Sequence, residues 1–190
     1  MTLNELILKI KIFEGFRQKV YIDAGGTPTI GYGRTDIKSM DETTTKEKED
    51  KWLTEEVFVV YQNVREKMLG WGYYSLSTDQ ILALTDFTYN LGIKNLNQLT
   101  DNGKRDISTI AEKIPLYNKC KGKELEGLTK RRQWEHDLFT SGVKQLTNAE
   151  KLQILINEKY KQFKVDKQIE VDGIVGNKTI SACIDIFNLL

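Results

Sequence analysis

FEGFRQKVYIDAGGTPTIGYG, residues 13–33, joins two different textures of chain. Before it, Thr2 and Glu5 stand at capping-box spacing, and Leu3, Leu6, Ile7, Ile10 and Phe13 recur at helical intervals. That predicts a helix closing at Glu14-Gly15, with glycine where a helix stops. After it, RQKVYI and TPTIGYG flank Ala24-Gly25-Gly26 and predict a small hairpin or a three-stranded sheet. One carboxylate, Glu14, therefore ends a helix; a second, Asp23, follows nine residues later on the hairpin, and Thr29 six beyond that. Glycosidic cleavage needs two carboxyl groups facing each other across the scissile bond, one protonated and one ionised. A helix end opposite a hairpin supplies such a cleft. Phe13 and Phe16 flank Glu14, an apolar setting that favours the protonated form of a general acid, whereas Asp23 sits beside glycines and backbone amides that suit the ionised form. On spacing alone, a glutamate before a helix-ending glycine and an aspartate in a turn are also common structural choices.

Outward from this segment the chain reads as mostly helical. Residues 36–56 hold eight Asp/Glu against four Lys, a run expected to be a solvated helical face. From Thr54, the spacing of Val57, Tyr61, Val64 and Met68 predicts a helix. Ser77 and Gln80 cap the next, which carries Ile81, Leu84, Phe87 and Leu91 toward Asn90-Leu91-Gly92. Helices at about 107–114 and 129–140 follow. A small sheet near the start of a helical domain is an α+β arrangement. A second unit begins near residue 144: Thr147 with Glu150 starts a helix carrying Leu152, Leu155 and Ile156, and Ile180, Cys183, Ile184 and Phe187 stripe a last one. The expected division is 1–143 and 144–190.

The 190 residues, 39% hydrophobic and 29% charged with only 2 Pro, can bury a real core, which excludes collagen-like and disordered classes. Lys+Arg 28 against Asp+Glu 27 leaves a formal net charge of +1, poorly suited to nucleic acid. No uncharged run reaches the ~18 residues of a membrane span, and the start has no secretory apolar region, so a monomeric protein made in the cytoplasm is expected. Two cysteines, Cys120 and Cys183, and one histidine, His136, starve metal sites and histidine triads of ligands, so no metal or other cofactor is expected. Carboxylates are left to carry the chemistry.

The 13–33 run resembles the catalytic signature of the phage-type lysozymes, glycoside hydrolase family 24: Glu-Gly, an aromatic followed by Asp, then Thr-Ile-Gly-Tyr-Gly at these separations. ILALTDFTYNLG is similar to that family's central helix, and GLTKRRQWEHDLF to its closing helix. The resemblance implies a lysozyme-like fold and hydrolysis of the β-1,4 bond between N-acetylmuramic acid and N-acetylglucosamine in peptidoglycan, with inversion. It implies Glu14 as general acid, Asp23 as second carboxylate and Thr29 as the residue placing the attacking water, with Tyr32 meeting substrate. A protein of this kind with no signal peptide would be a phage endolysin, reaching the wall after release from the host cytoplasm. A non-catalytic wall-binding protein and a chitin-directed glycosidase are the alternatives.

The tail, KLQILINEKY followed by VDGIVGNKTISACIDIF, is similar to small peptidoglycan-binding modules, which implies Asp172, Gly173, Gly176 and Thr179 as its binding loop. A plain structural turn is the other reading. Arg131 and Arg132 could reach the cleft and bias Glu14, yet paired arginines on a helix are most often at the surface. Trp52, Trp71 and Trp134 fit either core or sugar-stacking roles.

Overall fold

The first helix, α1 (Leu3–Glu14), begins where its capping box dictates: Glu5 N donates to Thr2 Oγ1 at 3.3 Å and Thr2 N to Glu5 Oε2 at 2.7 Å. The computed structural model describes residues 1–23, 25–141, 148–170 and 174–189. The chain divides into two compact units, Met1–Gly142 and Val143–Leu190.

In the first unit, α1 leads into a two-stranded antiparallel hairpin, β1 (Arg17–Ile22) with β2 (Pro28–Gly31), in the register Tyr21 opposite Thr29. Single bridges from Lys19 to Thr43 and from Ile30 to Arg34 extend the pairing without adding a full third strand. The long α2 (Lys46–Gly70) starts eight residues before the first residue of its predicted stretch, because Thr45 accepts from Lys48 N and caps it there. Next come α3 (Thr78–Leu91), α4 (Ile93–Thr100), α5 (Ile107–Lys113), a 3-10 turn, a two-residue hairpin of β3 (Lys119–Cys120) with β4 (Lys123–Glu124), and α6 (Glu126–Ser141). Helix α4 and the second hairpin have no forewarning in the hydrophobic pattern.

Every residue of α3 from Gln80 to Thr88 is buried, because α1, α2, α4 and α6 all pack on it. Helix α2 threads both cores of this unit. Leu53 and Val57 join Leu6, Ile10, Tyr32 and Leu82, while Val64 and Met68 join Leu84, Phe87, Leu96 and Phe139. The 25 residues of α2 therefore span two lobes, and one exposed face of it is left to floor whatever lies between them.

The acidic run departs from expectation. Glu49 is fully buried, and Arg34, buried too, donates Nε to Glu49 Oε1 (3.2 Å), Nη1 to Asp36 (2.8 Å) and Nη2 to Glu42 (2.8 Å). Thr44 Oγ1 also donates to Glu49 at 2.6 Å. These three carboxylates hold an arginine, which a net-charge reading cannot see, whereas Asp41, Glu47, Glu55 and Glu56 of the same run are exposed as expected. The Glu49 carboxylate occupies the space where a side chain at Gly31 would begin, and Gly31 has φ +66°, so only glycine fits that point of the hairpin.

The second unit pairs α7 (Asn148–Gln162) with α8 (Asn177–Phe187) around Ile156, Tyr160 and Ala182. The expected stripe is only partly right. Thr179 and Ala182 are buried and Cys183 and Ile186 pack at the edge, while Ile180, Ile184 and Phe187 are exposed, Phe187 by 77%. Both faces of α8 are apolar, and the one with small side chains allows close approach to α7. Thr147, the side chain of Glu150, Asp172 and Gly173 lie outside the described residues. Cys120 and Cys183 are free thiols, and no helix among the described residues is long and apolar enough to cross a membrane.

Candidate active site

One face of α2 forms the floor of a cleft of about 970 Å³. Trp52, Glu56, Val60, Asn63 and Lys67 recur at spacings of four, four, three and four, each one position before a core residue of the same helix (Leu53, Val57, Tyr61, Val64, Met68). At 1.5 Å per residue this row is roughly 22 Å long, enough for an extended polymer rather than a compact metabolite. Glu14, Asp23 and Thr29 stand on the wall contributed by α1 and the hairpin, and Thr88, Tyr89 and Asn90 come from the end of α3. The structure thus brings together the three residues expected to be catalytic, and assigns Trp52 to the cleft.

Glu14 is the last residue of α1, four-fifths buried at its side chain, and its Oε1 accepts from Arg131 Nη1 at 2.6 Å. Arg131 also grips Asp86 with a two-pronged bond, Nε to Oδ2 and Nη2 to Oδ1, both 2.9 Å. Its guanidinium lies 5.0 Å from the centre of the Phe13 ring, which in turn packs edge-on against Trp134 at 5.5 Å. So Glu14 is lodged against a cation as well as against aromatic carbon. On its other side Gly33, at φ +102°, keeps the approach open: a Cβ there would lie 3.4 Å from Glu14 Oε2.

Behind Arg131 lies a buried polar cluster. Arg132 Nη2 donates to Glu135 Oε1 at 2.5 Å and to Asn90 Oδ1 at 3.0 Å, and Asp86, Arg131, Arg132 and Glu135 are all almost inaccessible to water. Burial, the largest influence, raises Asp86, but the Arg131 charge, hydrogen bonds from Glu135 and Arg131, and the Arg132 charge together hold this carboxyl below its ordinary value. Glu135 goes the other way, pushed well above its ordinary value by burial and then by the neighbouring Asp86. The surface reading of the paired arginines is overturned: both are core residues, and the first one clamps Glu14. The sequence did carry a signal for this, since Asp86 sits in the middle of an apolar helix and a buried carboxylate demands a partner.

Asp23 is half-buried at the end of β1. Its Oδ1 accepts from Thr27 N at 2.7 Å, leaving Oδ2 without a protein donor among the described residues. Thr29 is buried, and its hydroxyl donates to the Thr27 carbonyl at 3.0 Å, so its oxygen lone pairs stay available to accept. Tyr32 is placed differently from expectation. Its ring is 2% exposed in the core, 5.6 Å from Phe16, and burial, with Asp50 as hydrogen-bond partner, pushes its phenol up to about 12. The TIGYG aromatic turns inward because Tyr89, from α3, covers it and donates to its backbone carbonyl at 2.8 Å.

In the second unit, Thr179 is buried, accepting from Gln153 Nε2 (3.3 Å) and donating to the Ile174 carbonyl (3.2 Å). That ties the loop to α7, a positioning duty rather than a surface contact. Gly176 is the N-cap of α8.

The chain matches the phage lysozyme family over residues 11–135. An endolysin of Bacillus phage PZA is 30% identical over 161 residues, covering 80% of this chain and 60% of that protein. An endolysin of Bacillus phage B103 is 32% identical over 140 residues, covering 70% of this chain and 51% of that protein. The chain therefore spans between half and three-fifths of the length of these two relatives. The solved endolysin from Escherichia coli O157:H7 phage FAHEc1 superposes with a TM-score of 0.59 at 29% identity, over 75% of this chain and 96% of that one. With a family match over more than half its length and the fold to go with it, the chain belongs to the phage lysozyme family.

Proposed function

We propose that this protein is a muramidase, an endolysin that hydrolyses the β-1,4 bond between N-acetylmuramic acid and N-acetylglucosamine in peptidoglycan. The observation that carries the reading is the placing of Glu14, Asp23 and Thr29 on one wall of a single long cleft. Glu14 donates a proton to the leaving glycosidic oxygen as the bond breaks, and Arg131, already 2.6 Å away, receives the negative charge that Glu14 then carries. A water between Asp23 and Thr29 supplies the nucleophile. It donates one hydrogen to Asp23 Oδ2 and the other to Thr29 Oγ1, which leaves a lone pair free to attack the anomeric carbon from the face opposite the leaving group. The proton removed from water ends on Asp23, and the anomeric carbon is inverted.

The test is digestion of purified wall with separation of the products. New reducing ends on muramic acid are expected, with chitin untouched; reducing ends on glucosamine, or none, would sink the reading. The second unit serves, in this proposal, as a wall-binding module, supported by the resemblance of its tail. Full-length protein should sediment with intact sacculi more completely than residues 1–142 alone, with turnover on soluble fragments nearly equal. Equal sedimentation removes the wall-binding role. Synthesis in the host cytoplasm followed by release to the wall completes the proposal.

A further inference from the structure

Two side-chain oxygens border the opening that Gly33 leaves in the wall of the cleft. A side chain begun at Gly33 would lie 3.4 Å from Glu14 Oε2 and 3.7 Å from Tyr89 Oη, and φ +102° disfavours any side chain there. Glu14 has already given Oε1 to Arg131, so Oε2 is the oxygen left to carry a proton toward substrate. Tyr89, which lines the cleft as Gly33 does, therefore stands beside the place the scissile oxygen must occupy.

The fold decides what the Tyr89 hydroxyl can do there. It donates its one hydrogen to the Tyr32 carbonyl at 2.8 Å, and no group among the described residues donates to it. A hydroxyl with its hydrogen committed is left as an acceptor, and it answers only to a donor. It also stays neutral: burial, and then the Glu14 charge, pushes the phenol well above its ordinary value. The group is held firmly as well, because Tyr89 directly follows the buried stretch of α3 from Gln80 to Thr88 and is tied to a turn 57 residues away. On a β-1,4 glycan, two donors flank the scissile oxygen on the leaving glucosamine. The 3-hydroxyl is on one neighbouring ring carbon, and the hydroxymethyl group, with its 6-hydroxyl, is on the other.

We propose that Tyr89 is a specificity-determining residue whose Oη accepts a hydrogen bond from one of these two hydroxyls and so aligns the scissile oxygen with Glu14 Oε2. This rests on the muramidase reading above. The test uses the full chain, as wild type and as Tyr89→Phe, on synthetic peptide-bearing wall oligosaccharides whose leaving glucosamine is native, 3-deoxy or 6-deoxy. The readout is the ratio of kcat/KM on the native substrate to that on each deoxy substrate. For one of the two, this ratio is expected to be about fivefold larger in wild type than in the variant, the scale of a neutral hydrogen bond. Loosening of the Tyr32 turn would slow the variant on every substrate alike and cancels in the ratio. Equal ratios in wild type and variant for both deoxy substrates overturn the proposal and leave Tyr89 as a prop for the turn. A wild type indifferent to both deoxy changes overturns it without the variant. If wild type leaves the native oligosaccharide uncut, the muramidase reading itself has failed, an outcome distinct from the others.

Discussion

Glu14→Gln is expected to cut wall-clearing and glycan turnover by at least about a hundredfold, the usual value of a positioned general acid, while the melting temperature stays near that of wild type. Glutamine keeps the length of the side chain and presents its amide oxygen to Arg131 Nη1, so the 2.6 Å contact survives as a neutral acceptor. What it lacks is the proton for the leaving oxygen. The residue is at the lip of the cleft, not in the core, and the Arg131–Asp86 grip is untouched. Turnover within a few-fold of wild type, with an unchanged melting curve, would remove Glu14 from the acid role and the proposed mechanism with it.

The parts of this architecture that were legible in the sequence are those written locally. The capping pairs Thr2/Glu5 and Ser77/Gln80 start α1 and α3, and the Gly15 stop ends α1, because each is settled within a few residues of chain. The spacing of Glu14, Asp23 and Thr29 was legible for the same reason: a helix end and a tight hairpin leave few ways to arrange twenty residues. What was not legible depends on partners distant in sequence. Arg131 reads as a surface residue until α6 lies on α3, where Asp86, 45 positions away, turns it into the group that clamps Glu14. Glu49 reads as solvated charge until the hairpin closes over the start of α2 and brings Arg34 to it. Tyr32 shares a motif with cleft residues, but it lies in the turn just past β2, where spacing alone does not say which way a side chain points. In α8, apolar residues on both sides of the helix left two candidate stripes, and the packing against α7 chose the one with Ala182.

Arg131→Met should be the most destabilising single change at the site, costing about 3–5 kcal/mol, the usual result of removing one partner of a buried ion pair. For a unit of this size that corresponds to a fall of roughly 10 °C or more in melting temperature. Methionine fills much of the stem volume, so the loss comes from Asp86, which is fully buried and has both carboxylate oxygens bonded to Arg131 at 2.9 Å. Arg132 binds Glu135 and Asn90 through Nη2 and makes no hydrogen bond to Asp86, so its charge alone is left to compensate the carboxylate. Arg131→Lys should fall between, because an ammonium supplies the charge without the two-pronged geometry. The double variant Arg131→Met/Asp86→Leu should recover a large part of the loss, since it removes the stranded charge along with its partner; recovery of stability without recovery of activity would separate the two duties of Arg131. Acid attacks the same bond from the other side. Asp86 is held below its ordinary value of 3.8 in the folded protein, so its contribution to stability is complete above about pH 5 and is lost as pH falls through the folded value. Wild type should therefore lose melting temperature steeply below about pH 4, and the double variant less steeply over the same range. A single Arg131→Met variant that melts within two or three degrees of wild type would mean that Asp86 finds its compensation elsewhere, and the clamp on Glu14 would then need another anchor.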